Sequence, residues 1–201
     1  KCLKGENTIF YIFNRISWNV ICPIHNQLFQ NKCPKCNHQF SPNLKNFNDT
    51  FHLCSYCNHN LTIDISYEDI SYESLELQTF LNNCIKENQI VKSNYNLLDI
   101  NLFELFYSIR TLLNFTLSIQ KNERIINLIK EEFKLDNKSF FKNKATLYFD
   151  VLDSEIRMKL MNITSKFLKM DIKLFEIFLM ISKITYKQFL GSNTAIPESS
   201  T

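Results

Sequence analysis

Two cysteine pairs, Cys33-Pro-Lys-Cys36 and Cys54-Ser-Tyr-Cys57, are separated by 17 residues, within the roughly 15 to 20 residues typical between the knuckles of a four-cysteine zinc site. Two residues between ligands let one tight turn aim both sulfurs at a single tetrahedral ion, each at about 2.3 Å, and a second turn closes the shell. Cys22-Pro-Ile-His25 has the same spacing with an imidazole replacing one thiolate, and Cys2 lies upstream of it. Cys2, Cys22 and His25 would be three ligands of another site, the first in chain order, which a cysteine two residues ahead of Lys1 would complete. The expected cofactor is Zn2+ at two sites, the first one ligand short within this sequence.

Other cysteine chemistries fit less well. Paired two-residue spacing favours metal or redox chemistry over a disulfide framework, and neither knuckle sits between a strand and a helix as a thioredoxin-like motif requires. Three protein ligands plus a water describe a hydrolytic zinc, but the zinc deaminases pair H-x-E with P-C-x-x-C. None of His25, His38, His52 or His59 is followed two residues later by Glu. The expected protein is not an enzyme. His38 and His59, two residues past a knuckle, read as exposed or supporting groups, and Cys84 reads as a core residue on a helix.

The elements that must carry these ligands divide the chain in two. Six of the seven cysteines and all four histidines fall between Cys2 and His59, and from about Ser71 the pattern turns helical. Residues 61–65 read as a last short strand. Asn101 caps a helix with Leu102, Leu105, Phe106, Ile109, Leu112 and Leu113 on one face. Asp153 precedes a helix bearing Ile156, Leu160, Ile163 and Phe167, Asp171 caps another from Ile172, and further helices fit 72–86 and 123–133. The expected fold is α+β, mainly α. Residues 1–65 form tandem zinc-ribbon-like modules, 66–190 an all-helical domain, and 191–201 a disordered tail or linker.

Composition sets outer limits. The chain has 201 residues, 45% of them hydrophobic, with 18 Phe and 8 Tyr, which is enough apolar area for a real core. Two Gly are too few for a fold that cradles phosphates on a glycine-rich loop. No run approaches the roughly 20 apolar residues of a membrane-spanning helix. A formal charge of +3 permits nucleic-acid contact without arguing for it.

In order and spacing, Cys2-Leu-Lys-Gly5, Arg15-Ile-Ser-Trp18, Cys22-Pro-Ile-His25-Asn-Gln-Leu28 and the two cysteine knuckles resemble the signature of the TniQ/TnsD family of transposon target-selection proteins. The resemblance is specific to about Asn60 and looser through Glu155-Ile-Arg157, Phe167 and Phe175. It implies a non-enzymatic factor of the bacterial cytoplasm that chooses where a mobile element inserts. Its partners would be DNA or a CRISPR-type targeting complex and a TnsC-like AAA+ regulator, with a homodimer possible in principle. On that reading zinc is structural, replacing a hydrophobic core in a segment too small to bury one.

Candidate DNA contacts are Arg15, Lys32, Lys35 and Lys45 in the cysteine-rich part. Tyr186, Lys187 and Gln188 join them if residues 171–190 form a helix-turn-helix. Each lysine has an ordinary reading as a solvated charge, and Trp18 reads as a packing anchor between the zinc modules. The alternative class is a zinc-ribbon protein–protein adaptor, or a transcription-type DNA-binding protein unrelated to transposition. Steep salt dependence of duplex binding would separate a DNA reader from an adaptor.

Overall fold

The architecture comes from a computed structural model that describes residues 16–39, 52–62, 69–97, 99–140 and 148–181. Among them are two short strands, β1 (Ile21–Cys22) and β2 (Gln27–Leu28), and five helices: α1 (Tyr72–Glu87), α2 (Leu102–Ile119), α3 (Glu123–Phe133), α4 (Ser154–Lys169) and α5 (Ile172–Ile181). The protein is therefore mainly helical with a small β component; the helices expected over 72–86 and 123–133 appear as α1 and α3, and those expected after Asn101, Asp153 and Asp171 start at Leu102, Ser154 and Ile172. No helix among the described residues is long and apolar enough to cross a membrane.

Local chemistry sets the helix ends. Asn101 begins α2 with a reciprocal capping box: its Oδ1 accepts from Glu104 N at 3.0 Å and its own N–H donates to Glu104 Oε2 at 2.8 Å, satisfying two backbone donors that the helix leaves open. Ser71 caps α1 through Ser74 N, Asn122 caps α3 through Ile125 N, and Asp171 accepts from Lys173 N at the start of α5. α1 and α3 end on Asn88 and Lys134 in the left-handed conformation.

α4 is the central helix, packed between α1 and α2. Met158, Leu160, Met161, Ile163, Phe167 and Leu168 are all buried on it, and its small polar residues face the neighbouring helices. Ser74 Oγ donates to Met158 O at 2.6 Å, Tyr95 OH pairs with Ser165 Oγ at 3.2 Å, and Thr116 Oγ1 pairs with Thr164 Oγ1 at 3.2 Å. Buried hydroxyls satisfied in this way cost little and let the helices approach closely. Phe167 gathers four rings, with Phe115, Phe133, Phe175 and Phe178 at centroid distances of 5.8, 5.1, 5.5 and 5.4 Å. These tilted and edge-on pairs fasten α3 and α5 to α4. Cys84, fully buried in this core, is a packing residue as its helical position predicted.

The first knuckle segment belongs to the same packing unit. Val20 and Ile21 are fully buried in the helical core cluster, and Trp18 stacks on Phe106 of α2 at 5.5 Å while its Nε1–H donates to Asn82 of α1 at 3.1 Å. Trp18 thus anchors the knuckle segment to the helices, rather than one cysteine module to the other. Arg157, near the start of α4, donates from Nη1 to Ser17 O at 2.5 Å and from Nη2 to Ser154 Oγ at 3.2 Å.

Candidate metal centre

Three turns are built alike. In each, the asparagine four residues after the leading cysteine takes a left-handed φ: 46° at Asn26, 58° at Asn37 and 57° at Asn58. Its N–H then donates back to the cysteine carbonyl, Asn26 to Cys22 at 2.9 Å, Asn37 to Cys33 at 2.9 Å and Asn58 to Cys54 at 3.0 Å. Asparagine accepts positive φ at lower cost than other residues with a Cβ. The chain returns antiparallel to itself, with Ile21 opposite Leu28, Lys32 opposite Gln39 and Leu53 opposite Asn60. Cys33 N donates to His38 O and Cys54 N to His59 O, both at 2.8 Å. The two histidines thus close the knuckles through their backbone carbonyls.

This folding brings Cys33, Cys36, Cys54 and Cys57 together, with all four sulfurs within 4.8 Å of one another. Cys33 Sγ lies 3.7 Å from Cys57 Sγ, and Cys36 Sγ lies 3.7 Å from Cys54 Sγ. A tetrahedral ion with sulfur ligands at about 2.3 Å requires edges of about 3.8 Å. The cluster therefore has the dimensions of a tetrathiolate site able to hold a metal ion. Among the described residues, Leu61 is the one other buried hydrophobic in its cluster.

The site's electrostatics suit a cation. Burial raises the Cys54 thiol, but the backbone N–H groups of Cys57 and Tyr56 outweigh it and bring Cys54 down to about 6. At Cys36 the backbone N–H of His38 pulls downward, yet burial and the three neighbouring sulfurs push the thiol up to about 12. Four thiols this close cannot all ionise without a positive charge among them.

The first predicted site is represented by one pair. Cys22 Sγ and His25 Nδ1 lie 3.3 Å apart across the β1–β2 turn, near the separation of about 3.6 Å that a shared tetrahedral ion would impose. Cys2 lies outside the described residues, as do Arg15, Lys45, Tyr186, Lys187 and Gln188, the second element of the predicted helix-turn-helix and the 191–201 tail.

Lys32 is paired with Asp153, Nζ to Oδ1 at 2.8 Å, with both side chains still partly exposed, and Lys35 is exposed. Asp153 occupies the first capping position of α4 but makes no side-chain capping bond. Its carboxylate instead takes Lys32 and the Asn31 amide, the latter at 3.2 Å. Leu61 and Thr62, expected to begin a strand over 61–65, form a turn fastened by Asn60 Oδ1, which accepts from Thr62 N at 3.0 Å and from its hydroxyl at 2.8 Å, and residues 63–65 lie outside the described residues.

Sequence reasoning passed over Gln78. This residue of α1 is 2% exposed; its Oε1 accepts from Val20 N at 2.8 Å and Ile21 N at 3.0 Å, and its Nε2 donates to Ile21 O at 2.6 Å. A glutamine at a buried helical position between Leu77 and Phe80 was the available signal. No family model matches the chain, and neither any curated protein nor any solved structure does.

Proposed function

We propose that this chain is the zinc-binding and helical part of a non-enzymatic target-selection factor for DNA transposition, of the kind its motifs resemble. The observation that carries the reading is the convergence of Cys33, Cys36, Cys54 and Cys57 into a site of tetrathiolate size. Zinc is the ion such a set takes most readily, and four protein thiolates leave no open position for a reacting water. The metal's role is then structural: it ties two turns that, among the described residues, have Leu61 and little more as a core. The packing of Trp18, Val20 and Ile21 onto the helices supports reading the cysteine motifs and the helices as one functional unit.

In this role the protein marks a site, by contacting DNA or a targeting complex, and recruits an AAA+ regulator. The adaptor reading has an observation of its own, because Leu174, Ile177 and Met180 of α5 are 52, 44 and 70% exposed, an apolar surface of the sort that protein partners cover. The test is a search beside the gene for an integrase and an ATPase, followed by reconstituted insertion with them. Site-specific insertion should require the full-length protein and disappear in Cys33→Ser. Insertion that is indifferent to the protein, or the absence of such neighbouring genes, would overturn the reading.

A further inference from the structure

The two cysteine knuckles repeat a backbone but not a surface. Cys33-Pro-Lys-Cys36-Asn-His38 and Cys54-Ser-Tyr-Cys57-Asn-His59 place Lys35 and Tyr56 at equivalent outward positions. The His38 ring lies on the Tyr56 ring, with centroids 3.6 Å apart and planes 14° from parallel. Both residues are exposed, Tyr56 to 70%. A packing role explains this poorly, since a ring left that exposed gains little from burial. A cleft beside the rings is floored by Cys33 and Cys54 of the metal cluster and by buried Leu61, and opens at exposed Gln39 and Ser55, so polar groups border an aromatic wall.

A second observation concerns charge. From residue 7 to residue 63 the sequence carries one carboxylate, Asp49, against Arg15, Lys32, Lys35 and Lys45, although Lys32 is already paired with Asp153. A segment so poor in acid suits an anionic chain. The surplus is nevertheless small, because a divalent ion held by four thiolates contributes two negative charges of its own. Attraction by charge alone would be modest, and the stacked rings are the stronger recognition element.

We propose that the His38–Tyr56 stack is a nucleobase platform, on which an unpaired or everted base lies flat while Lys35 contacts a flanking phosphate. Every base presents a π-face, so such a platform takes single-stranded or locally opened nucleic acid with little regard to sequence. Gln39 and Ser55 are placed to meet the polar edge of the base. The inference deepens the target-selection reading without requiring it, because a zinc-knuckle protein of another pathway could use the same surface.

The test is fluorescence anisotropy of the full-length, metal-loaded protein with a mixed-sequence single-stranded 12-mer and with its blunt duplex, each from low to high salt. The wild type should bind the single strand more tightly than the duplex. Tyr56→Ala should weaken single-strand binding about tenfold, Tyr56→Phe should restore it, and metal content and circular dichroism should stay unchanged in both. The Tyr56→Ala deficit should persist as salt rises, whereas that of Lys35→Ala should shrink through loss of its phosphate contact. Equal affinity of wild type and Tyr56→Ala, or no oligonucleotide binding by the wild type, would overturn the platform. So would finding that Tyr56→Ala loses only the AAA+ partner, which would assign the rings to protein recognition. Site-specific insertion that survives Tyr56→Ala, together with lost oligonucleotide binding, would uphold the platform while detaching it from target selection.

Discussion

Gln78 and Ile21 bond to each other in both directions, the side-chain amide of α1 accepting from the β1 N–H at 3.0 Å and donating to the same residue's carbonyl at 2.6 Å. With the third bond, from Val20 N, one side chain serves β1 as a neighbouring strand would. The first knuckle segment is thereby held against the helices by backbone groups that have no room to find water.

Replacing Gln78 by Leu would leave two N–H groups and one carbonyl buried without these partners. Each orphaned group costs about 1–3 kcal/mol, so the loss should be about 3 kcal/mol, read as a lower urea midpoint. Gln78→Glu should be destabilising at neutral pH, where a carboxylate cannot donate to Ile21 O. Its pKa in the fold should be raised, so stability should recover as pH falls through that value and the protonated acid regains a donor. Equal stability of Gln78→Leu and wild type would show that these bonds contribute little.

Chelation should act locally before it acts globally. Among the described residues the turns around Cys33 and Cys54 have little apolar core besides the cysteines and Leu61, while α1, α2 and α4 share an extensive one. Removal of the ion should abolish amide protection in residues 52–62 and leave most of the helical circular dichroism intact. Reloading at pH 7 should release protons, Cys36 being protonated there with its thiol at about 12, and apparent affinity should fall as pH falls. Calorimetry in buffers of different ionisation enthalpy measures the release; a pH-independent affinity would argue against thiolate ligation.

The left-handed asparagines offer a backbone test. Asn58→Gly should be close to neutral, because glycine adopts a φ of 57° freely. Asn58→Val should cost about 1–2 kcal/mol, since a branched side chain at positive φ meets the following carbonyl. Competition against a chromophoric chelator should show weaker metal binding for valine and unchanged binding for glycine. Similar affinities in both would mean that the turn does not preorganise the thiols.

Helices and ligand pairing were legible because their signals are local. Asn101 and Asp171 cap where a polar side chain meets a periodic apolar run, and the two-residue cysteine spacing encodes the turn that gathers the sulfurs. Roles decided by distant partners were not legible. Asp153 has the position of a cap, but its carboxylate is drawn to Asn31 and Lys32, more than a hundred residues away. Trp18 was readable as an anchor, while Asn82 and Phe106 as its partners depend on how α1 and α2 pack. The thrice-repeated asparagine after the knuckles was visible in the sequence; glycine is the usual marker of a left-handed turn, and this chain uses asparagine instead.

Acid should weaken the clasp between α1 and α4. Lys166 pairs with Glu73 at 3.1 Å, and Lys169 pairs with Glu76. Burial opposes ionisation of Glu73, but its own backbone N–H and Lys166 outweigh that effect and hold its carboxyl below the usual value. A depressed folded pKa gives stability that is present above the unfolded value of about 4.3 and lost as pH falls through the folded one. These side chains are partly solvated, so Glu73→Gln should cost only about 0.5 kcal/mol at pH 7 and nothing at pH 2. Thermal melts at the two pH values measure the difference; a constant deficit would point to packing instead of charge.

Asp153 allows two roles to be separated by one substitution. Asp153→Ser removes the carboxylate that holds Asn31 and Lys32 but installs a side chain well suited to cap α4. The lost ion pair is roughly half solvated and worth at most about 1 kcal/mol, a value similar to the cap gained. Global stability should therefore change by less than about 1 kcal/mol. The segment leading into Cys33, however, would lose its polar tether to the helices. Amide exchange of residues 31–39 should accelerate while α4 is as protected as before or better. Unaltered exchange there would mean that the metal cluster alone fixes the second knuckle in place, and that the contact between Lys32 and Asp153 is incidental.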